Sequence, residues 1–298
     1  MRHELVVCTR NRPDDTLRCL ESVATQTRSP DRVIVVDSSD TDATKHVTET
    51  FARTSGLAVD FFHSAPGLTL QRNAALDHLD ESTDVVHFVD DDAVLDPAYL
   101  HGILAAFEDH PQAGGAGGRI CNLPEHLPNR LRRIFLLNSR NQGVLLRSGV
   151  NVLSFTGDRP RRVGWLSGCS MSYRCRSITG LRFDESRSGN GVGEDVDFSA
   201  RVAARAELVW TPLAVLEHRQ SPINREDQAT VMRRVIRSRW RLAADRVGQV
   251  SRTAVLYAIA GEVLISLTKA GRHRSRGLVR HAFAHLAAVG DIIKGTPV

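Results

Sequence analysis

The sequence predicts an α/β fold of the Rossmann-like kind, a mostly parallel sheet flanked by helices, with a C-terminal helical extension. Three observations predict it. Short apolar runs at residues 5–8 (LVVC), 33–36 (VIVV), 59–62 (VDFF) and 85–89 (VVHFV) alternate with helical segments, as strands buried on both faces do. Polar clusters follow the first, second and fourth runs, where a parallel sheet gathers its ligands. After Ser221-Pro222 the composition turns to Arg-rich amphipathic helix.

Along the chain, the first run ends in Thr9-Arg10-Asn11-Arg12. Pro13 then opens a helix whose stripe is Leu17, Leu20, Ala24 and Thr27. The second run ends in Asp37-Ser38-Ser39-Asp40-Thr41-Asp42. Residues 69–79 are helical, with Leu70 and Ala74 on one face, and the fourth run ends in Asp90-Asp91-Asp92. No GxGxxG follows the first run, which excludes a dinucleotide fingerprint. Gly114-Gly115-Ala116-Gly117-Gly118 has the wrong spacing for one and reads as a tight strand or turn. Residues 127–163 form an irregular, substrate-facing stretch. A helix opens at Gly193-Glu194-Asp195, with Val196, Ser199, Val202, Ala203 and Ala206 at core spacing. Two further strands, near 206–212 and 214–217, end at His218.

Composition bounds the function. The 298 residues, 42% hydrophobic and 24% charged, suffice for a large core. Five cysteines (Cys8, Cys19, Cys121, Cys169, Cys175) without CxxC spacing argue against a disulfide framework and a thiolate zinc site. The chain enters a strand at once, so no signal peptide is expected, and a cytoplasmic location is predicted. The apolar stretch 254–267 is interrupted by Glu262 and shorter than the roughly 20 residues a span needs. Residues 225–298 hold 14 Lys and Arg against 5 Asp and Glu, a charge of +9, which leaves −4 for the rest of a +5 chain. The basic end therefore points to an anionic surface or partner. With 5% aromatic residues and no binding motif, nucleic acid is not the expected partner.

Three adjacent carboxylates behind a strand repel one another unless a cation shares them, which points to a divalent metal. The ordered set Val6–Pro13, Val35–Asp42, Gln71-Arg72-Asn73, Phe88–Ala93, Trp165–Tyr173, Gly193-Glu194-Asp195 and His218 resembles the glycosyltransferase family 2 proteins of the GT-A fold. The resemblance covers residues 5 to about 218. It implies an inverting enzyme that moves a sugar from a UDP-, dTDP- or GDP-linked donor to a hydroxyl acceptor in polysaccharide, glycolipid or secondary-metabolite assembly. It places Thr9, Arg10, Asn11 and Arg12 beside the nucleotide, Arg72 there on the diphosphate or paired with Asp90–Asp92, and Asp37 at the base. Asp90 would approach the ribose with Asp91 in support, and Asp92 and His218 would bind Mn²⁺ or Mg²⁺. An imidazole ligand would favour Mn²⁺. Asp195 is the implied catalytic base, with Glu194 orienting it or touching the acceptor; Gly168 would lie beside donor or acceptor, and Trp165 there or in the core. Where the family often has a second acid, this chain has Ser38, which leaves the base open.

The expected division is a catalytic domain at 1–222, its nucleotide-binding half at 1–100 and its acceptor half at 101–222, followed by a basic extension at 223–298. That extension would lie on an anionic membrane at the inner face, near lipid-linked acceptors, or dock on the catalytic domain or a second copy. Two rivals remain. A nucleotidyltransferase would usually carry a glycine- and lysine-bearing loop, absent from Cys8–Pro13. A non-catalytic sugar-nucleotide-binding protein would be free to lose Asp92 and Asp195. Donor sugar, base, linkage and acceptor reside in the loops at 127–163 and 186–192, which pattern does not decode.

Overall fold

A computed structural model describes residues 1–124, 127–153, 156–187, 189–223 and 227–296. In chain order the elements are β1 (His3–Thr9), α1 (Pro13–Ala24), β2 (Arg32–Asp37), α2 (Ala43–Ser55), β3 (Val59–His63), α3 (Leu68–Asp77), β4 (Val85–Asp90), β5 (Ala93–Leu95), α4 (Tyr99–Asp109), β6 (Ala113–Ile120), α5 (Arg130–Ile134), β7 (Arg161–Val163), β8 (Met171–Arg174), α6 (Cys175–Ile178), α7 (Glu194–Ala203), β9 (Glu207–His218), α8 (Gln228–Ala244), α9 (Arg252–His273) and α10 (Arg276–Ile293). The strands form one sheet in the order β3-β2-β1-β4-β8-β6-β9-β5, with β7 on β9.

The four apolar runs of the sequence are β1 to β4, and they make the parallel half of the sheet, with Val6 opposite both Ile34 and Phe88. Alternate residues go to opposite faces. Val6, Ile34, Val36, Val86 and Phe88 enter one core layer, and Leu5, Val7, Val33, Val35 and Val89 the other. Each such side chain stabilises the fold by about 1.5–3 kcal/mol on full burial, so helices must cover both faces.

The other half is mixed. Strand β8 inserts antiparallel between β4 and β6, with Met171 opposite Phe88. The residues leading into β8 therefore run past the C-terminal end of β4. The glycine run is β6. A Cβ at Gly117 would stand 2.8 Å from the Ser170 carbonyl oxygen, so only glycine lets these strands approach. The two strands expected near 206–217 are one, β9, whose pairing with β6 shifts register between Trp210 and Val215. Pro212 and Leu213 fall at that irregularity, where a missing N–H is tolerated. Strand β9 also pairs antiparallel with β5, Ala93 opposite His218.

The expected face of α1 is rotated, and that of α7 holds in part, with Val196, Ser199 and Val202 buried. Helix α1 buries Cys19, Leu20 and Val23, while Ala24 and Thr27 are exposed. The rotation follows from its first turn, where Thr16 is held by Thr9 Oγ1 at 2.9 Å. In α7, Phe198 is buried with Val196 and Val202, and Ala203 is exposed.

Helices α8 to α10 pack on one another after sharp N-caps from Asp227, Ser251 and Ser275. Helix α9, 22 residues long with an 18-residue stretch of mean hydropathy 1.4, is long and apolar enough to cross a membrane. Its Ala254, Val255, Ala258, Ile259 and Ile265 are nonetheless buried in the protein. Gly261 lets Phe135 lie directly on it.

Candidate active site

At the C-terminal ends of β1, β4 and β9 lies a cleft of about 660 Å³, lined by Thr9, Arg10, Arg12, Asp90, Asp91, Asp92 and His218. Parallel strands end here together because β1 and β4 are in register, Cys8 beside Asp90. Among the described residues, Asp90, Asp92 and His218 bring one donor atom each to within 4.8 Å of one another. His218 Nε2 stands 3.0 Å from Asp92 Oδ1 and 3.7 Å from Asp90 Oδ2.

The second oxygen of Asp92 accepts the Ser221 N–H at 2.7 Å. Burial favours the neutral acid, but His218, Ser221 and Arg12 outweigh it and hold the Asp92 carboxyl below its ordinary range. Burial likewise opposes the imidazolium of His218, yet Asp92, Cys169 and Asp90 lift it to about 11. Such a pair is poised for a cation to displace the proton. The donor set of two carboxylates and an imidazole suits Mn²⁺.

Asp91 points elsewhere. Its oxygens accept Thr9 Oγ1–H at 2.8 Å and Arg12 at 2.9 Å, tying β4 to the β1–α1 loop. Burial, partly offset by Arg12, pushes its carboxyl up to about 7. Asp91 thus supports the cleft by tying two loops together. Asn11, expected beside the nucleotide, makes a second tie between loops. Its backbone is left-handed (φ 54°), its N–H donates to Ser39 Oγ at 2.6 Å, and its amide brackets Asp40. Arg10 reaches Asp40 at 3.3 Å from the rim.

Asp37, 2% exposed, accepts the Ser39 N–H at 3.0 Å and hydroxyl at 2.5 Å. Burial raises its carboxyl. It lines a neighbouring polar hollow of about 590 Å³ with His63 and Phe61, while the adjacent Ser38 lines the cleft.

Arg72 is not open to a diphosphate. It is 2% exposed on α3, ion-paired with Glu194 and, at 3.1 Å, with Asp90, and it donates to the Gly168 carbonyl at 3.1 Å. Three acceptors explain why a guanidinium can be buried at all. Burial, opposed by Arg72, lifts Glu194 to about 8. Asp195 accepts the Gly168 N–H at 3.0 Å and the Val196 N–H at 2.8 Å, and burial raises its carboxyl. Gly193, at φ 78°, supplies the left-handed turn into α7, a conformation in which other residues are strained.

Gly168 admits a close approach by Glu194 and Arg72, whose nearest atoms would stand 3.1 and 3.3 Å from a Cβ there. Trp165 is 1% exposed and packs in the core, so it does not line the cleft. Its large apolar ring is more stable there than in water. Gln71, given no role from sequence, donates to the Thr9 and Val36 carbonyls at 2.7 and 2.9 Å and so fixes two strand ends. Its only signal was its place beside Arg72. Cys169 is a buried thiol whose ionisation burial opposes, as its packing role requires. In the two loops singled out for specificity, residues 154–155 and 188 lie outside the described residues.

The model for glycosyl transferase family 2 matches residues 4–162, more than half of the chain. The chain belongs to glycosyl transferase family 2. Within the family it is similar to the amylovoran biosynthesis glycosyltransferase AmsE of Erwinia amylovora, 27% identical over 131 residues, which are 44% of this chain and 48% of the relative. The chain thus matches about half the length of that relative. Among solved structures it is similar to the mannosyltransferase PcManGT of Pyrobaculum calidifontis in complex with GDP-Man and Mn²⁺, with a TM-score of 0.62, 15% identity and coverage of 98% and 86% of the two chains. It is also similar to S. aureus TarS 1-349, with a TM-score of 0.52, 18% identity and coverage of 99% and 83%. At these identities the likeness shows the fold, which is GT-A. Gly168, Glu194, Asp195 and His218 lie beyond the matched segment, and the sheet brings them to the family's carboxylates.

Proposed function

We propose that the protein is a metal-dependent, inverting glycosyltransferase that takes a nucleoside-diphosphate sugar and glycosylates a hydroxyl acceptor. The observation that carries the reading is the convergence of Asp90, Asp92 and His218 within 4.8 Å beside the Arg72–Glu194 ion pair. In it, the hollow at Asp37 takes the base, Arg10 and Arg12 flank the diphosphate, and Asp90 meets the ribose. Asp92 and His218 would hold Mn²⁺ or Mg²⁺. When bound, the ion neutralises charge on the departing nucleoside diphosphate.

The chain's own groups do the rest. Asp195, its carboxyl raised by burial, accepts the proton of the acceptor hydroxyl as that oxygen bonds to the anomeric carbon and the sugar–phosphate bond breaks. A single base opposite the leaving group gives inversion. Glu194 and Arg72 hold Asp195 in register through Gly168.

The extension fits an anionic membrane surface. Leu256, Leu264, Leu267, Phe283 and Leu286 are exposed on α9 and α10, and Arg272, Arg274, Arg276 and Arg280 are exposed at the turn between them. A thermal-shift screen of UDP-, GDP- and dTDP-sugars with and without Mn²⁺ tests the donor half of the reading. Stabilisation by one nucleotide class that requires the ion is expected, and no stabilisation by any of them would sink it.

A further inference from the structure

A second cavity, of about 800 Å³, lies beside the cleft, and Asn190 lines both. One wall is apolar: Leu137, Val150, Val235 and Ile236. Its far end is charged. Arg132 grips both oxygens of the buried Glu262 at 3.0 Å, and His281 Nε2 stands 3.3 Å from Glu262 Oε1. Arg239 is different. Its stem crosses Gly149, its Nε is buried without a hydrogen-bond partner among the described residues, and burial pushes the guanidinium down to about 10.

Glu262, His281 and His285 bring donor atoms within 4.8 Å, which would admit a cation. Arg132, however, already stands 3.0 Å from each Glu262 oxygen, and Arg239, which has no ion-pair partner among the described residues, adds its charge to the same site. Two guanidiniums against one carboxylate leave an excess of positive charge in a partly dry site. That calls for an anion.

We propose that this cavity is the acceptor subsite, and that the acceptor is an amphiphile whose anionic group meets Arg239 while its apolar part lies along Val235 and Ile236. The inference rests on the glycosyltransferase reading and names its acceptor class. A guanidinium fork binds phosphate or carboxylate in two parallel hydrogen bonds, and an aliphatic wall selects the ligand's apolar end. Asn190 lines both cavities, so an acceptor seated in the second one would present its hydroxyl toward the cleft while its anion stays outside it. Anion and nucleotide then occupy separate sites.

The test is calorimetric titration of the full chain with decyl phosphate, decanoate and decanol below their micellar concentrations, alongside UDP and GDP with Mn²⁺. Decyl phosphate or decanoate should bind with one-to-one stoichiometry. Arg239→Gln should weaken that binding at least tenfold, and Arg239→Lys should restore part of it. Nucleotide binding should be unchanged in both variants, which also reports their folding, and decanol should not respond to the substitution. The stronger of the two anions identifies the acceptor group as phosphate, as on a lipid-linked sugar, or carboxylate, as on a soluble metabolite. Absence of anion binding, or equal binding by wild type and both Arg239 variants, overturns the subsite while nucleotide binding keeps the enzyme reading. Failure of the wild type to bind any nucleotide would overturn the reading beneath it.

Discussion

Gly168 donates its backbone N–H to Asp195 Oδ2 at 3.0 Å, and its carbonyl accepts from Arg72. One glycine thus ties the proposed base to the buried ion pair. In Asp195→Asn one of the two N–H groups facing the carboxylate loses its acceptor, which costs about 1–3 kcal/mol of stability. Transfer should fall far more, by about 10²–10⁴-fold, the range of general-base contributions. Nucleotide affinity should hold. Unchanged turnover, measured as nucleoside diphosphate released with acceptor present, would remove Asp195 from its role.

Arg72 and Glu194 form a pair in which neither partner can stand alone. Arg72→Ala leaves Glu194 buried and uncompensated beside Asp90, and should destabilise the protein by about 3–5 kcal/mol in urea unfolding. The double variant Arg72→Met/Glu194→Met should recover most of that loss, because an apolar pair avoids the desolvation of charge. It should not recover transfer. Recovery of activity by the double variant would show that the pair does no more than pack.

Removal of divalent ions with EDTA should abolish nucleotide-induced stabilisation, and Mn²⁺ should restore it better than Mg²⁺ because of the His218 imidazole. Restored stabilisation of about 2.7 kcal/mol is expected at a ligand concentration of a hundred times Kd. In His218→Ala the advantage of Mn²⁺ should shrink, and in Asp92→Asn neither ion should act. Nucleotide stabilisation that ignores EDTA would contradict the site.

Much of this was legible in the sequence, and for a local reason. Strands β1 to β4 announce themselves as unbroken apolar runs, and the acids Asp37, Asp90 and Asp92 follow them directly. What pattern could not give is pairing between distant segments. Strand β8 enters antiparallel between β4 and β6, and only that insertion sets Gly168 between Arg72 and Asp195. His218 reaches Asp92 because β9 pairs with β5. A motif records neighbours in sequence and so leaves Trp165 open between site and core; the fold puts its ring in the core. The anion-ready end of the second cavity draws on α5, α8, α9 and α10, four separate pieces of chain.

A pair of buried histidines should make the fold sensitive to acid. His3 Nδ1 and His87 Nε2 lie 3.1 Å apart, and His87 also meets Ser172 Oγ at 2.8 Å. Burial lowers both imidazole pKa values, that of His87 well below 6.5. Above 6.5 the folded and unfolded chains are both neutral at these positions, so their contribution is fully present. As pH falls below 6.5 the unfolded chain takes up protons that the folded chain refuses, and stability declines toward the depressed folded values. Urea midpoints from pH 7.5 to 5 should therefore fall, with a shallower decline in His87→Gln. An identical slope in the variant would assign the acid sensitivity elsewhere.

The helical extension carries the remaining prediction. A surface helix with large exposed apolar residues and flanking arginines gains from both hydrocarbon burial and anionic headgroups, at about 1 kcal/mol for each basic residue near the surface. The full chain should float with vesicles containing phosphatidylglycerol, less with neutral vesicles, and less again at 1 M salt, where screening shortens to about 3 Å. Leu264 and Leu267 are exposed on α9, so Leu264→Asp/Leu267→Asp should abolish flotation without unfolding the helix. Loss of dimers in the same variant on sizing, with flotation of the wild type absent, would instead mark this face as a contact between copies. Flotation that survives the double substitution but is lost with Arg272, Arg274, Arg276 and Arg280 changed to Gln would make the attachment purely electrostatic, and the exposed leucines would have no part in it.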